Sequence, residues 1–535
     1  MKHLIFSGVL VCALMLSDSV FSQGPDFSFQ LQPVQVAGFT GVQSASMGIW
    51  EGKIAVLGGR TDGLHRRQPF AAFLPDGNNP QINVMDPAGG TLWSAPVTSL
   101  PAPIQEQLLA TNLQFTQEGP WLYLTGGYGY SPAADDHITH NKLTVVRLDS
   151  LIKAVQAGQP LAPWFRQISD DRFAVTGGQL GLQDGIFYLA GGHLFEGRYN
   201  PMNHATFTQT YVTEVRRFTI SDDGQNLSVN FMPAWSDPIN LHRRDNNMLP
   251  QIFPDGRRGF TNFSGVFQQS ADLPYLNSVD IDSAGFAVNN DFQHRLNQYH
   301  CAHTALYDAE RNRMYSVFFG GIAQFYLNAD GQLVQDDNVP FVRTIGRVTR
   351  FNDGSMLEEK IGDMPALLGA GAEFLRAENL PLIANTDIID LNALGDDTVL
   401  LGYIVGGILS EQPNVFFNNQ DLSAASPTLF AVRYVPDDNS TAIKVPRVPS
   451  NALDVRVQPN PAREVANVYY TLKQSAIVEI ALQAPNGQLI ASELLGALPA
   501  GEQQFQFRFE KLPAGIYTIT LTVGQELIPL KLVVK

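Results

Sequence analysis

Residues 184–192 read Asp-Gly-Ile-Phe-Tyr-Leu-Ala-Gly-Gly: a polar turn, five apolar residues, then a glycine pair. An apolar run of this length between turn signals predicts a buried strand. The glycine pair allows a left-handed backbone that a side chain would resist. The same order recurs at 51–59, 118–127, 311–321 and 396–407, and in degenerate form at 255–265, where Ser264 replaces the first glycine. The first members of the pairs stand at 58, 126, 191, 264, 320 and 406, giving spacings of 68, 65, 73, 56 and 86 residues. A period this long around a fixed core marks a repeat architecture.

A variable loop and a second strand follow each pair, at 81–86, 142–150, 211–221, 275–282, 346–353 and 428–436. Trp93, Trp164 and Trp235 fall at matching places in successive repeats. This order, from apolar strand and Gly-Gly through a second strand to a tryptophan, resembles the kelch repeat over residues 25–440. The resemblance implies an all-β fold, a six-bladed β-propeller with one four-stranded blade per repeat. The spacings exceed the ~50 residues of kelch units, so the excess is expected in loops. The last repeat lacks an outer strand of its own, while residues 27–38 are a strand without a blade. Joining them would close the ring and hide two exposed edges.

Residues 437–452 are rich in Pro, Asp, Asn and Ser and read as a linker. From 453 to 535 the pattern becomes short alternating strands, which suits a small Ig-like β-sandwich. Pro459-Asn460-Pro461-Ala462, the turn at Asn486-Gly487, Leu512-Pro513-Ala514-Gly515-Ile516-Tyr517 and the closing Pro-Leu-Lys-Leu-Val-Val-Lys together resemble the type A sorting domain of the type IX secretion system. That resemblance implies engagement of the secretion machinery through residues 453–535. It also implies passage across the outer membrane, then release or attachment at the cell surface. At the other end, residues 1–22 combine Lys2 and His3 with an apolar run and read as a secretory signal cleaved after Ser22. The expected order is signal (1–22), propeller (23–436), linker (437–452) and sorting domain (453–535).

Charge and cysteine content narrow the chemistry. The formal net charge of -16 disfavours nucleic acid as a partner. No later stretch is apolar enough to span a membrane as a helix. Of the two cysteines, Cys12 lies in the signal, so Cys301 has no internal disulfide partner and a multi-thiolate zinc site is excluded. No metal or cofactor is called for. There is no H-E-x-x-H, no P-loop and no G-x-S-x-G in a fitting context. Asp135-Asp136 with His137 and His140 reads as loop polarity, and residues 328–338 read as a solvated hairpin rather than a calcium loop.

The loops expected on one propeller face gather basic and imidazole groups: His65, Arg66 and Arg67; His193, Arg198 and His204; His242, Arg243 and Arg244; His294, Arg295, Tyr299, His300 and His303. In an acidic protein such a face suits an anionic partner, a carboxylated or sulfated glycan or an acidic peptide. The candidate ligand-binding set is His65, Arg66, Arg67, His193, His242, Arg243, Arg244, His294, Arg295, Tyr299 and His300. Binding or interaction at the cell surface is the leading expectation. The alternative is a carbohydrate-active enzyme on the same scaffold. Tyr299-His300 resembles part of the galactose oxidase copper site, although Cys301 directly after His300 departs from that family's arrangement. Sialic-acid epimerases share the six-blade kelch plan.

Overall fold

The computed structural model describes residues 27–68, 70–200, 206–224, 226–416, 422–436, 443–444, 452–484, 489–509, 512–523 and 526–535. The expected secretory signal, His204, the expected turn at Asn486-Gly487 and most of the expected linker lie outside these residues.

Among the described residues before the C-terminal domain, six sheets, each built on an antiparallel ladder of at least four strands, follow one another along the chain. Each begins with an innermost strand: Ser46–Trp50, Thr111–Glu118, Thr176–Gln183, Asn247–Ile252, Ala302–Asp308 and Ala372–Arg376. Each of these strands contacts the next, and the sixth contacts the first, so the sheets close into a ring around a central channel. The fold is a β-propeller. Strands of the repeated apolar run, such as Lys53–Leu57 and Ile186–Gly197, lie second from the centre and are buried on both faces. That two-sided burial explains why they are continuous apolar runs and do not alternate.

The glycine pairs have a physical cause. Both members of every pair have positive φ, for example Gly126 at +66° and Gly127 at +92°. A Cβ on Gly126 would fall 1.9 Å from the carbonyl oxygen of Val175, and one on Gly320 would fall 1.8 Å from that of Leu368. The pair therefore lies where the segment entering the next sheet crosses the strand closely, and in the second and third sheets the strand continues past it. Ser264, in the degenerate repeat, holds φ +57° with its hydroxyl donating to the Asn297 carbonyl at 2.6 Å.

The ring closes as the orphan strand requires. Phe27–Val34 pairs antiparallel with Leu429–Pro436 over eight positions, Phe27 opposite Pro436 and Val34 opposite Leu429, as the outer strand of the sixth sheet. The tryptophans depart from the expected equivalence. Trp93 sits within the fourth strand of its sheet, Trp164 in a 3-10 turn before one, and Trp235 in a two-residue strand after one. The inserted helix Leu148–Ala157, whose Leu148, Leu151, Ile152 and Val155 are buried, shifts the second repeat. Residues 328–338 follow the hairpin reading, with Phe325–Leu327 paired to Leu333–Gln335.

The C-terminal residues form a three-stranded and a four-stranded antiparallel sheet around Val468, Tyr470, Ile480, Phe507, Ile519 and Leu532. Val465–Leu472 alternates half-buried and buried at every position. The motifs at the two ends of this domain lock together. Asn460 Nδ2 donates to the Lys531 carbonyl at 2.7 Å, and its Oδ1 accepts from the Val533 N–H at 2.9 Å. Ala462 N–H donates to Val533 O, and the Tyr517 hydroxyl donates to Pro513 O at 2.8 Å.

Candidate functional site

At the start of each innermost strand, one residue turns left-handed: Ser44 (φ 52°), Asn112 (54°), Gly177 (67°), Asp245 (54°), His300 (47°) and Gly371 (68°). These are residue types that tolerate this region, through a small side chain, a local hydrogen bond or no Cβ at all. Backbone N–H groups link the positions around the mouth of the channel. Ser44 donates to Gly371 O at 2.8 Å, Gly371 to His300 O at 2.8 Å, Asn112 to Ser44 O at 3.1 Å and Asp245 to Gly177 O at 2.6 Å. The ring gives a rigid rim on which the residues immediately before it, Arg244 and Tyr299 among them, are displayed.

Arg244 is the centre of what gathers there. Its side chain is 27% exposed, its Nε stands 3.8 Å from the Asp245 carboxylate, and its guanidinium lies 5.1 Å from the Phe267 ring centroid. That Nε is buried without a hydrogen-bond partner among the described residues. The charge of Arg244 bears on His65, His193, His300, Tyr199, Tyr211 and Tyr299, so the topology does bring these distant loops together. The loops meet through aromatic contacts. His65 stacks on Phe73 at 4.7 Å and meets the edge of Tyr199 at 4.8 Å; His242 stacks on Tyr211 at 3.9 Å. His242 Nδ1 lies 3.1 Å from the Phe267 carbonyl, and His193 Nδ1 lies 2.6 Å from Gln209 Nε2. His300 Nδ1 lies 3.7 Å from Asp245 Oδ1.

The imidazoles add no charge at neutral pH. Burial holds His65 down to about 4 and His193 well below its usual range. It also lowers His242 and His300, the latter against the opposing pull of Asp245. The cleft thus sets the Arg244 guanidinium in an aromatic, imidazole-lined collar.

Two members of the candidate set are corrected. Arg243 is fully buried, donating to the carbonyls of Asn240, Ser264 and Asn277 and to Asn277 Oδ1, with its guanidinium 4.2 Å from the Tyr275 ring centroid. It braces the fold and offers no donor to a ligand. His294 is 1% exposed and faces Glu358 at 3.3 Å. Burial takes this imidazole down to about 3, while Glu358 is pushed up to about 8 and accepts from the N–H groups of Arg295 and Leu296. The charged neighbours in the sequence concealed which arginine points inward. Arg66 and Arg67 are half-buried beside His65, and the charge of Arg67 reaches Tyr199. Half-buried Arg295 donates to Gln293 Oε1 and lies 5.6 Å from the Phe325 ring centroid.

Tyr199, Tyr211, Phe73, Phe267 and Asp245 complete the cleft and were not in the candidate set. Each is adjacent to, or in the loop facing, a basic residue that was, so loop aromatics beside loop arginines were the available signal. The reading of His137 and His140 as exposed loop polarity is corrected: both are buried, and His137, in the strand Asp136–Thr139, places Nε2 3.2 Å from the Phe73 carbonyl behind the collar.

Comparison with known proteins places the C-terminal part. Residues 456–535 match the family described as secretion system C-terminal sorting domain. No curated protein matches the chain. Two solved structures are similar in fold at low identity. One, titled "Structure of YjhT", is 11% identical with a TM-score of 0.40, covering 75% of this chain and 97% of its own. The other, a fungal alcohol oxidase of the AA5 family in complex with copper, is 10% identical with a TM-score of 0.38, covering 95% and 99%. No helix among the described residues is long and apolar enough to cross a membrane. The protein is a β-propeller that carries a type IX secretion sorting domain at its C-terminus and is exported by that route to the cell surface or the extracellular space.

Proposed function

We propose that the protein is a six-bladed, kelch-type binding propeller that captures an anionic group, carried on a carboxylated or sulfated glycan, in the cleft around Arg244. The observation that carries this reading is a guanidinium whose buried Nε makes no hydrogen bond, with Asp245 only at ion-pair distance, inside a collar of Tyr199, Tyr211, His65 and His242. A planar fork suits carboxylate or sulfate oxygens, and flat aromatic faces beside it suit the apolar faces of sugar rings. An array of carboxylated, sulfated and neutral glycans probed with the mature protein tests it. Retention of neutral glycans alone would refute it.

The alternative, a carbohydrate-active enzyme, draws on Tyr299, His300 and His303 near the channel mouth. The donors present do not fit a copper centre. No group of three or more His, Cys, Asp or Glu is placed to hold a metal among the described residues. Cys301 is packed with Leu249, Phe263 and Phe318, with Asn247 Nδ2 at 3.7 Å from its sulfur, and burial pushes its thiol up to about 12. Stoichiometric copper with a radical-type visible spectrum in the purified protein would select the enzyme reading instead.

Binding is expected to strengthen as pH falls. His65 and His300 are neutral when the cleft is empty, and a bound anion favours their protonated forms. Binding therefore takes up protons, and affinity rises as pH falls from 7 toward 5, through the interval between the lowered free value and the raised bound one. Titrating a sulfated oligosaccharide, whose own charge is constant over this range, at pH 7 and pH 5 reads the effect. Added salt should weaken both measurements, and equal affinity at the two pH values would show that the imidazoles do not face the ligand.

Passage beyond the periplasm should depend on the last domain. Deleting residues 453–535 is expected to leave a folded propeller in the periplasm, because the two parts keep separate cores. Fractionation followed by immunoblotting checks this, and secretion of the truncated chain at the full-length level would contradict it.

A further inference from the structure

Below the cleft, a segment of the sixth sheet reaches across the channel. Residues 377–398, inserted between the first and second strands of the sixth sheet, run across its lower end. The N–H groups of Glu51 and Gly52, in the first sheet's hairpin, donate to the Glu378 carboxylate at 3.0 and 2.7 Å. Gln183 of the third sheet donates to the Asn385 carbonyl at 3.4 Å, and Arg258 of the fourth donates to Ala384 O at 3.2 Å. Ile389–Asp390 adds a short parallel strand inside the fifth sheet, against Leu306 and Tyr307. The third sheet lies opposite the sixth in the ring, so a segment tied to both has to cross the channel axis. Arg376, Glu378 and Asp387 line the resulting floor.

What remains is a cavity of about 350 Å³ lined at its upper end by Asp245 and His300, the neighbours of Arg244, near the lower limit of the ~300–1,000 Å³ typical of small-ligand sites. Its wall mixes Phe115 and Phe374 with Gln179, His303, Glu373 and, at the mouth, Asp245. Burial alone pushes Glu373 up to about 8, so at neutral pH its carboxyl is a hydrogen-bond donor as well as an acceptor. His303 Nδ1 is engaged by the Cys301 carbonyl at 2.9 Å. Neutral Glu373 can both donate to and accept from hydroxyls, while the Asp245 carboxylate at the mouth disfavours an anion entering the cavity.

We propose that this blind cavity receives an uncharged terminal sugar of the glycan, while the acidic group of the adjoining sugar rests on Arg244. The proposal builds on the Arg244 reading and adds that the protein recognises chain ends, because a floor across the channel admits an end and excludes a chain passing through. An acidic peptide is disfavoured, since its terminus would set a carboxylate against Asp245.

Hyaluronan, which alternates neutral and carboxylated sugars, supplies the probes. Binding of the full mature protein is measured to a pentasaccharide with N-acetylglucosamine at both ends, to one with glucuronate at both ends, and to the long polymer at equal disaccharide concentration. The neutral-ended fragment is expected to bind at least tenfold more tightly than the acid-ended one, and the polymer only in proportion to its ends. Glu373→Phe, which fills the cavity, should abolish that preference while binding through Arg244 persists; Glu373→Gln should keep it. Glu373→Leu replaces the first variant if its thermal melt shows a folding defect. Equal binding of polymer and fragments, or no dependence on the terminal sugar, overturns the end pocket and leaves the Arg244 cleft intact. Failure of all three probes to bind overturns the end pocket, and failure of the sulfated and carboxylated glycans of the array as well overturns the Arg244 reading.

Discussion

A protein lacking residues 27–34 is expected to lose its closed ring: it should aggregate, and any soluble fraction should melt well below the parent. These residues form the outer strand of the sixth sheet, paired along their whole length with Leu429–Pro436. Phe27 is 1% exposed and meets Phe29, Tyr315 and Tyr434 with ring centroids 5.5, 5.3 and 5.7 Å away. The Arg347 guanidinium lies 5.0 Å from its centroid. Phe29 meets Phe319 at 5.6 Å, so the strand also fastens the sixth sheet to the fifth. Phe27→Ala alone should cost about 3–5 kcal/mol, the range for a fully buried phenylalanine. The deletion adds to this the loss of the strand ladder and the exposure of an apolar edge, a template for unwanted pairing. Thermal melting and size-exclusion chromatography of the two variants check the ordering, with the deletion worse than Phe27→Ala. A monomeric deletion variant with the parent's melting temperature would mean that the ring is held by the other five interfaces.

That strand was legible in the sequence because a propeller blade has a fixed strand count, and an orphan strand at one end matched a missing one at the other. The glycine pairs were legible for a similar reason: they mark backbone crossings where a Cβ cannot fit, so the residue type itself records the geometry. Asn460, Ala462 and Tyr517 belong to short local motifs whose contacts are conveyed by residue identity. The cleft was harder to read. Arg243 and Arg244 are chemically identical and adjacent, and only the path of the chain over the fourth sheet turns one inward and the other toward the mouth. Asp245, Ser44 and Asn112 were missed because a left-handed residue before a strand resembles any other loop polar. The floor was out of reach altogether: bonds from Gln183 and Arg258 to Asn385 and Ala384 join residues far apart in the chain, and no periodicity reports them.

The two adjacent arginines provide the sharpest test of the site, since they should fail in opposite ways. Arg243→Ala removes a fully buried guanidinium and leaves the carbonyls of Asn240, Ser264 and Asn277 without their donors. A buried acceptor left unmatched costs roughly 1–3 kcal/mol, and the vacated space beside Tyr275 adds a cavity, so a loss of about 3 kcal/mol or more is expected. Arg244→Ala removes a partly exposed side chain whose carboxylate partner stands at 3.8 Å. The pair is too long for a hydrogen bond, and no buried carbonyl depends on this side chain, so melting should fall less than for Arg243→Ala. Binding should respond in reverse. A charge-assisted bond to an anion contributes about 1.5–3 kcal/mol, and each ~1.4 kcal/mol is tenfold in affinity. Arg244→Ala should therefore weaken binding of a carboxylated or sulfated glycan by roughly ten- to a hundredfold. Arg244→Lys should recover only part of it, because an ammonium keeps the charge but not the fork. Calorimetric titration and thermal melting of the three variants resolve the two roles. An Arg244→Ala protein that binds as the parent does, or that unfolds as readily as Arg243→Ala, would make Arg244 a second structural brace and leave the cleft without its cation.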